Sequence, residues 1–226
     1  MLVACNIGPH PGHFKESADP LRSARDEFFQ LLDALHPHCE MFVINFSSPN
    51  TSRLRNLLQS ADLVDVVIKP AYQRVRELDQ RSSRARRTPL LVKLPPEDKD
   101  RELWTESTLN SVVGPLLTTG ACDGFVAVNT STRLALQFFS PPPTEVPGGV
   151  SGEPLRGEAL RIVTLLRRLI GPEKLLIGCG GVTEPEHAAE FVAAGADLVE
   201  LYSGMIYAGP GLVGRCARQI KGTKAK

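Results

Sequence analysis

The run Met41-Phe42-Val43-Ile44-Asn45-Phe46-Ser47-Ser48-Pro49-Asn50-Thr51 carries an apolar segment straight into a cluster of amides and hydroxyls. Met41–Ile44 reads as a strand buried on both of its faces. Asn45, Ser47, Ser48, Asn50 and Thr51 then crowd into the residues that follow. An asparagine side chain both donates and accepts hydrogen bonds, and a serine hydroxyl does either. Polar side chains at the carboxyl end of a buried strand are where α/β folds place ligands. Composition alone also fits an ordinary Ser/Pro/Asn turn. The rest of the chain separates the two readings.

The same apolar-then-polar pattern recurs at long intervals. The apolar runs are Leu2–Ile7, Met41–Phe46, Leu90–Leu94, Gly124–Val128, Leu175–Gly178 and Leu198–Tyr202. Most are continuously apolar rather than alternating, as strands covered on both faces are. Amphipathic stretches lie between them. Pro20–Leu35 places Leu21, Phe28, Leu31, Leu32 and Leu35 at helical spacing, and Glu158–Ile170 does so with Leu160, Ile162, Val163, Leu165, Leu166 and Leu169. A helix over Glu184–Ala194 is predicted, with Thr183 as N-cap and Pro185 in the first turn.

Each strand ends in small or polar residues: Asn6-Ile7-Gly8, Asn45-Phe46-Ser47-Ser48, Lys93-Leu94-Pro95, Asn129-Thr130-Ser131, Gly178-Cys179-Gly180-Gly181 and Tyr202-Ser203-Gly204. Strands alternating with helices imply right-handed βαβ units in one parallel sheet. Functional residue types gathered at one end of every strand favour a barrel over an open sheet. The predicted fold is therefore α/β, a TIM (β/α)8-type barrel that is incomplete, with six of eight βα units present.

The bulk numbers narrow the function classes. The chain has 226 residues, 42% hydrophobic and 23% charged, which suits an ordinary globular core. A formal charge of +1 lacks the electrostatic footprint of a nucleic-acid binder. Cys5, Cys39, Cys122, Cys179 and Cys216 form no close pair, which fits reduced thiols and a cytoplasmic location. Cys5, Cys122 and Cys179 lie in or beside apolar runs and are predicted core residues. No apolar stretch approaches the roughly 18 residues of a membrane span. The opening Met1-Leu2-Val3-Ala4-Cys5 has no basic segment ahead of it and is not read as a signal peptide. The basic stretch Arg81–Arg87 fits an anion or membrane-surface patch, and a solvated loop is the preferred reading. Ser140–Gly149, rich in proline, is a long irregular loop that could cover the site.

Two features carry chemistry. Gly178-Cys179-Gly180-Gly181-Val182 and Tyr202-Ser203-Gly204 follow the last two strands. Glycines let backbone N–H groups approach an anion, and barrels often hold a phosphate in these loops. Lys93 is the single charge inside Leu90–Leu94. A buried lysine needs an anion or acceptor atoms near it, whereas one at a strand end can snorkel to water. No His or Cys cluster has metal-ligand spacing. The pairs His10/His13 and His36/His38 flank prolines and read as turn residues.

Taken in chain order, Asn45–Thr51, Val92-Lys93, Asn129-Thr130, Gly148-Gly149-Val150-Ser151-Gly152, Ile177–Val182 and Leu201-Tyr202-Ser203-Gly204 resemble the dihydroorotate dehydrogenase family of flavoenzymes. The resemblance runs from about Asn6 to Val213. Ser48 resembles the base of the serine class, which is usually membrane-associated and passes electrons to a quinone. The resemblance implies that Ser48 removes the C5 proton of dihydroorotate while hydride leaves C6 for FMN. It implies a proton relay through Thr51. Asn45, Asn50, Asn129 and Thr130 would bind the substrate ring and carboxylate. Asn6, Asn45, Lys93, Val128, Gly152, Gly181, Tyr202 and Ser203 would bind FMN, with Lys93 beside the flavin ring.

The resemblance also implies one FMN-binding barrel domain over residues 1–226 that lacks the family's first two strands and its N-terminal membrane-associating helices. No counterpart is found for the family's Ala-Gly-x-x-Lys and Asn-Arg-x-Gly motifs. Membrane contact, peripheral and on the inner face, would belong to the absent N-terminal segment. Arg53 stands where the family usually has Gly, Leu94-Pro95-Pro96-Glu97 where it has Ile-Ala-Pro-Asp, and Glu200 where Gln is common. Two other readings stand beside this one: a catalytically inactive barrel acting as a binding protein, and another FMN-dependent barrel oxidoreductase.

Overall fold

Six parallel strands hydrogen-bond in the order in which the chain makes them. They are β1 (Ala4–Ile7), β2 (Met41–Asn45), β3 (Leu90–Leu94), β4 (Gly124–Ala127), β5 (Leu175–Cys179) and β6 (Leu198–Glu200). The computed structural model describes residues 2–50, 54–58, 60–82, 84–138 and 148–224. A doubly wound sheet reverses its strand order at a switch point. This one never does; right-handed crossovers are the rule for such units, the described covering helices share one core with one face of the sheet, and the sheet curls as an arc of a barrel.

Two separate apolar clusters mark the two faces. Phe42, Ile44, Leu90, Val92, Phe125 and Leu176 belong to the large core shared with the helices. Val43, Leu91, Val126 and Ile177 form a second cluster, joined at its edges by Met41, Leu175 and Cys179. Side chains alternate along a strand, so this second cluster is the concave face. The register places its members side by side: Val43 with Leu91, and Val126 with Ile177. Gly124 carries no side chain because a Cβ there would collide with the Leu175 carbonyl on β5.

The covering helices follow their apolar spacing. Pro20–Leu35 buries Ala24, Phe28 and Leu32, and Phe28 meets Phe46 edge-on at 5.7 Å between ring centres. The Asp19 side chain accepts from the Arg22 N–H and Pro20 opens the first turn, as helix starts favour. Arg156–Ile170 buries Ala159, Ile162, Val163, Leu166 and Ile170, one stripe of the helix.

Several expectations need correction. The edge strands β1 and β6 are not covered on both faces; Ala4, Asn6 and Leu198 are exposed. The helix expected over Glu184–Ala194 spans Pro185–Ala193, and Thr183 does not cap it. Glu184 holds the N-cap position without a side-chain bond, while the Thr183 hydroxyl turns to His187 Nδ1 at 3.2 Å. His36, read as a turn residue, opens a short 3-10 helix over His36–His38, where it is buried and bonds Asp79 at 2.9 Å. The stretch Arg81–Arg87 is less free than a solvated loop. Arg84 donates to the carbonyls of His36 and Cys39, and Arg87 pairs with Asp123. Of the irregular loop Ser140–Gly149, residues 140–147 lie outside the described residues.

Candidate active site

The carboxyl ends of the strands open into a cleft of about 430 Å³, within the usual size of small-molecule sites. Asn6 reaches it from β1, Lys93 from β3 and Glu200 from β6. Val128, Asn129 and Thr130 line it from the turn after β4, and the glycine-rich turns after β5 and β6 close the other side. The turn after β4 is threaded between neighbours: the Val128 N–H donates to Cys179 and the Asn129 N–H to Leu94, both at the backbone carbonyl. Sequence reasoning placed Asn6, Lys93, Val128, Asn129, Thr130, Gly152, Gly181, Tyr202 and Ser203 together, and all nine line this cleft.

Lys93 is held by a carboxylate. Its Nζ lies 3.2 Å from Glu200 Oε2, with the lysine side chain only 12% exposed. Cys179 sits beside this pair in the cleft and is half-buried, not a core residue as expected. Burial pushes the Cys179 thiol up to about 12; the Lys93 charge pulls against that shift, and Glu200 adds to it. The thiol is therefore neutral at physiological pH, neither a nucleophile nor a base.

The segment after β2 forms a second group of polar atoms next to the cleft. Asn45 Oδ1 accepts from the Ser47 N–H at 3.0 Å and from the Ser47 hydroxyl at 2.8 Å. Asn129 Nδ2 donates to Ser47 Oγ at 3.0 Å and approaches Asn45 Oδ1 at 3.4 Å. Asn129 Oδ1 accepts from the Thr130 N–H at 2.8 Å. Asn129 thus joins the two groups, since it also lines the cleft. Ser48 is half-buried and its hydroxyl accepts from the Asn50 N–H at 3.3 Å. Asn50 is exposed. Asn45, Ser48 and Asn50 do not line the cleft itself. Thr51, expected to relay a proton, lies outside the described residues, as does Arg53.

The glycine turns pack backbone against backbone. Gly181 has a φ of +75°, and a Cβ there would come within 2.6 Å of Arg156 Cβ. Any L side chain at this position would be strained and would push away the start of helix Arg156–Ile170. Gly152 also has positive φ, at +79°. Ser203 Oγ donates to Ser151 Oγ at 2.8 Å, linking the turn after β6 to the 148–152 segment. Tyr202 is 77% exposed at the rim.

Sequence reasoning noted Glu97 only as a departure from the family pattern, and found neither Arg55 nor the pair the two form. Glu97 is fully buried and pairs with Arg55 at 2.6 Å. Burial lowers the Arg55 pKa, and Glu97 opposes that shift. A charged residue inside Leu54-Arg55-Asn56-Leu57-Leu58 was the only local signal.

An arc of parallel strands with a ligand-sized cleft at their carboxyl ends, a cation within it and glycine turns at its rim defines a chain of the (β/α)-barrel class. Residues 15–223 match the family model described as dihydroorotate dehydrogenase. The chain belongs to the dihydroorotate dehydrogenase family. It is 34% identical over 223 residues to the dihydroorotate dehydrogenase (quinone) of Bordetella avium, covering 98% of this chain and 59% of the relative. It is 33% identical over 225 residues to the protein of that name from Paracidovorax citrulli, covering 98% and 58%. The crystal structure of DHODH in complex with ferulenol from Eimeria tenella superposes with a TM-score of 0.76 at 26% identity, covering 95% of this chain and 56% of that one. The ligand-free type from the same organism gives 0.72 at 26% identity, covering 91% and 56%. The chain therefore spans somewhat less than three fifths of the length of these relatives.

Proposed function

We propose that this chain carries the FMN- and dihydroorotate-binding centre of a quinone-type dihydroorotate dehydrogenase, which oxidises dihydroorotate to orotate in pyrimidine biosynthesis. The observation that carries the reading is the position of Asn129. It lines the cleft that contains Lys93 and also donates to Ser47 in the polar segment of Asn45 and Ser48. A cofactor site and a substrate site that share one residue suit direct transfer between two bound molecules.

The residues present fit FMN. The cleft is of cofactor size, and Gly181 is a position where backbone must approach closely. Lys93 supplies a cation at its inner wall. Lys93, Asn6, Asn45 and Val128 would hold the ring, and Gly152, Gly181, Tyr202 and Ser203 the ring edge and phosphate. Bound there, the flavin supplies a hydride acceptor.

This chain's own residues do the rest. Asn45, Asn50, Asn129 and Thr130 would orient dihydroorotate by hydrogen bonds to its ring and carboxylate. Ser48 Oγ would take the C5 proton. A hydroxyl is a poor base at its free pKa, so it must pass its own proton on, and Thr51 is the proposed relay. Residues 1–226 are read as one FMN-binding domain holding six of the family's eight βα units. Electron transfer to a quinone places the enzyme at a membrane surface; among the described residues no helix is long and apolar enough to cross a membrane.

The reading is tested by equilibrium titration with FMN, then orotate, on this chain and on a chimera. The chimera adds the segments of the Bordetella avium relative that this chain does not match. The expected result is weak or undetectable FMN binding by the chain alone. The chimera is expected to bind FMN in a 1:1 ratio, and orotate binding should perturb the flavin absorbance. A chimera that folds but binds neither molecule would leave the binding-protein reading in its place.

A further inference from the structure

Arg55 spends its whole guanidinium fork on the segments that present the site residues. Its Nε donates to the Ser47 carbonyl at 2.9 Å and its Nη2 to the Thr130 carbonyl at 2.7 Å. Its Nη1 donates to Glu97 Oε1 at 2.6 Å and approaches Thr132 Oγ1 at 3.3 Å. Glu97, on the turn after β3, accepts three further bonds from one place. The Thr132 N–H and hydroxyl reach Oε1 at 2.7 and 2.8 Å, and the Ser131 hydroxyl reaches Oε2 at 2.7 Å. One buried pair thus ties together the turns after β2, β3 and β4.

A buried ion pair is weak ground for stability, because desolvation offsets much of the attraction and an apolar pair of like volume often does as well. What an apolar pair cannot do is fix three backbone segments through directional bonds. A second pair, His36 with Asp79, binds Thr88 ahead of β3 at the opposite end of the sheet and bonds none of the described site residues. Among the described site residues, Ser47 bonds Asn45, Asn50 bonds Ser48 and Thr130 bonds Asn129, and the bonds that cross between the two segments run from the single Asn129 amide to Ser47 and Asn45.

We infer that Arg55 and Glu97 are positioning residues, which hold the segment of Ser48 in fixed relation to the segment of Asn129. The inference rests on the proposed roles of Ser48 and Asn129. Its test reads segment geometry, so its failure and the failure of those roles are separately visible.

The test is amide hydrogen exchange on this chain and on two variants, Arg55→Lys and the double variant Arg55→Met/Glu97→Met. The informative amides are those of Ser47, Asn50 and Thr130, whose N–H groups donate to Asn45, Ser48 and Asn129 and not to the pair, although the Ser47 and Thr130 carbonyls accept from Arg55. Both variants are expected to exchange at least roughly tenfold faster at these amides, with the ladder amides of Val92 and Val126 unchanged. Arg55→Lys keeps the charge beside Glu97 without the fork, so it gives the result even if the double variant does not fold. Unchanged exchange at Ser47, Asn50 and Thr130, with Thr132 alone accelerated, would overturn the inference. Uniform acceleration that includes Val92 and Val126 would overturn it too, by making the pair a general structural element. Retained protection in Glu97→Asp, which keeps a carboxylate for Arg55, is the expected rescue.

Discussion

Lys93 Nζ lies 3.2 Å from Glu200 Oε2 although β4 and β5 stand between their strands. Neighbouring strands are about 4.8 Å apart, so β3 and β6 in a flat sheet would be separated by about 14 Å. Two side chains meet over that span only across a concave face. The ion pair is thus a consequence of the barrel-like curl, and it sets the charge of the cleft.

A cation next to a flavin favours the form with more negative charge, and a carboxylate bound to that cation opposes it. In the FMN-loaded chimera, Glu200→Gln is expected to raise the reduction potential of bound FMN and Lys93→Ala to lower it. A tenfold change in the ratio of affinities for the two redox forms corresponds to about 30 mV for a two-electron couple, and shifts of that order are expected. Potentiometric titration reads them. Equal potentials in all three proteins would separate the pair from the cofactor.

The two edge strands each have one partner among the described residues. Beside β6, Tyr202, Ile206 and Tyr207 are 77%, 75% and 87% exposed, and Leu198 on the strand is 50% exposed. Open edges flanked by apolar side chains promote association. Light scattering on this chain should show mass rising with concentration, and Leu198→Lys/Ile206→Lys should reduce the rise. A monodisperse monomer at high concentration would contradict this expectation.

Alkaline pH should destabilise the protein through Cys122. Burial, its main cause, pushes this thiol up from 9.0 to about 12. The folded state holds the proton where the unfolded state releases it, so stability is fully present below pH 9 and falls as pH rises toward 12. The drop in Tm between about pH 9 and 11 should be smaller in Cys122→Ala than in the parent protein. Parallel Tm curves for the two would mean that the Cys122 thiol does not contribute.

The strand pattern was legible because buried parallel strands read as uninterrupted apolar runs, and Leu90–Leu94 coincides with β3 to the residue. The cleft was legible for the same reason: residues at the carboxyl ends of parallel strands share one mouth by geometry. Partnerships were not. Lys93 was expected either to meet an anion or acceptor atoms or to snorkel to water, and Glu200, 107 residues away, meets it only once the sheet curls. Arg55 and Glu97, 42 residues apart, give no local pattern. Thr183 satisfies the local rule for a cap, yet a neighbouring histidine takes its hydroxyl.

In the proposed reaction Ser48 would decide the chemistry. It is half-buried, with its hydroxyl accepting from the Asn50 N–H, on the segment whose Asn45 and Ser47 meet Asn129. In the proposed roles the asparagines would serve binding and the serine would act only as the proton leaves, so the two effects would separate in kinetics. Ser48→Cys should keep part of the activity and gain rate as pH approaches the thiol's usual range near 8.5. The most direct measurement is anaerobic stopped-flow bleaching of the FMN-loaded chimera by dihydroorotate, comparing Ser48 with Ser48→Ala. Bleaching slowed by about 10²–10⁴-fold, with orotate affinity nearly unchanged, is the expected result. Full-speed bleaching in Ser48→Ala would contradict the assignment of Ser48 as the base.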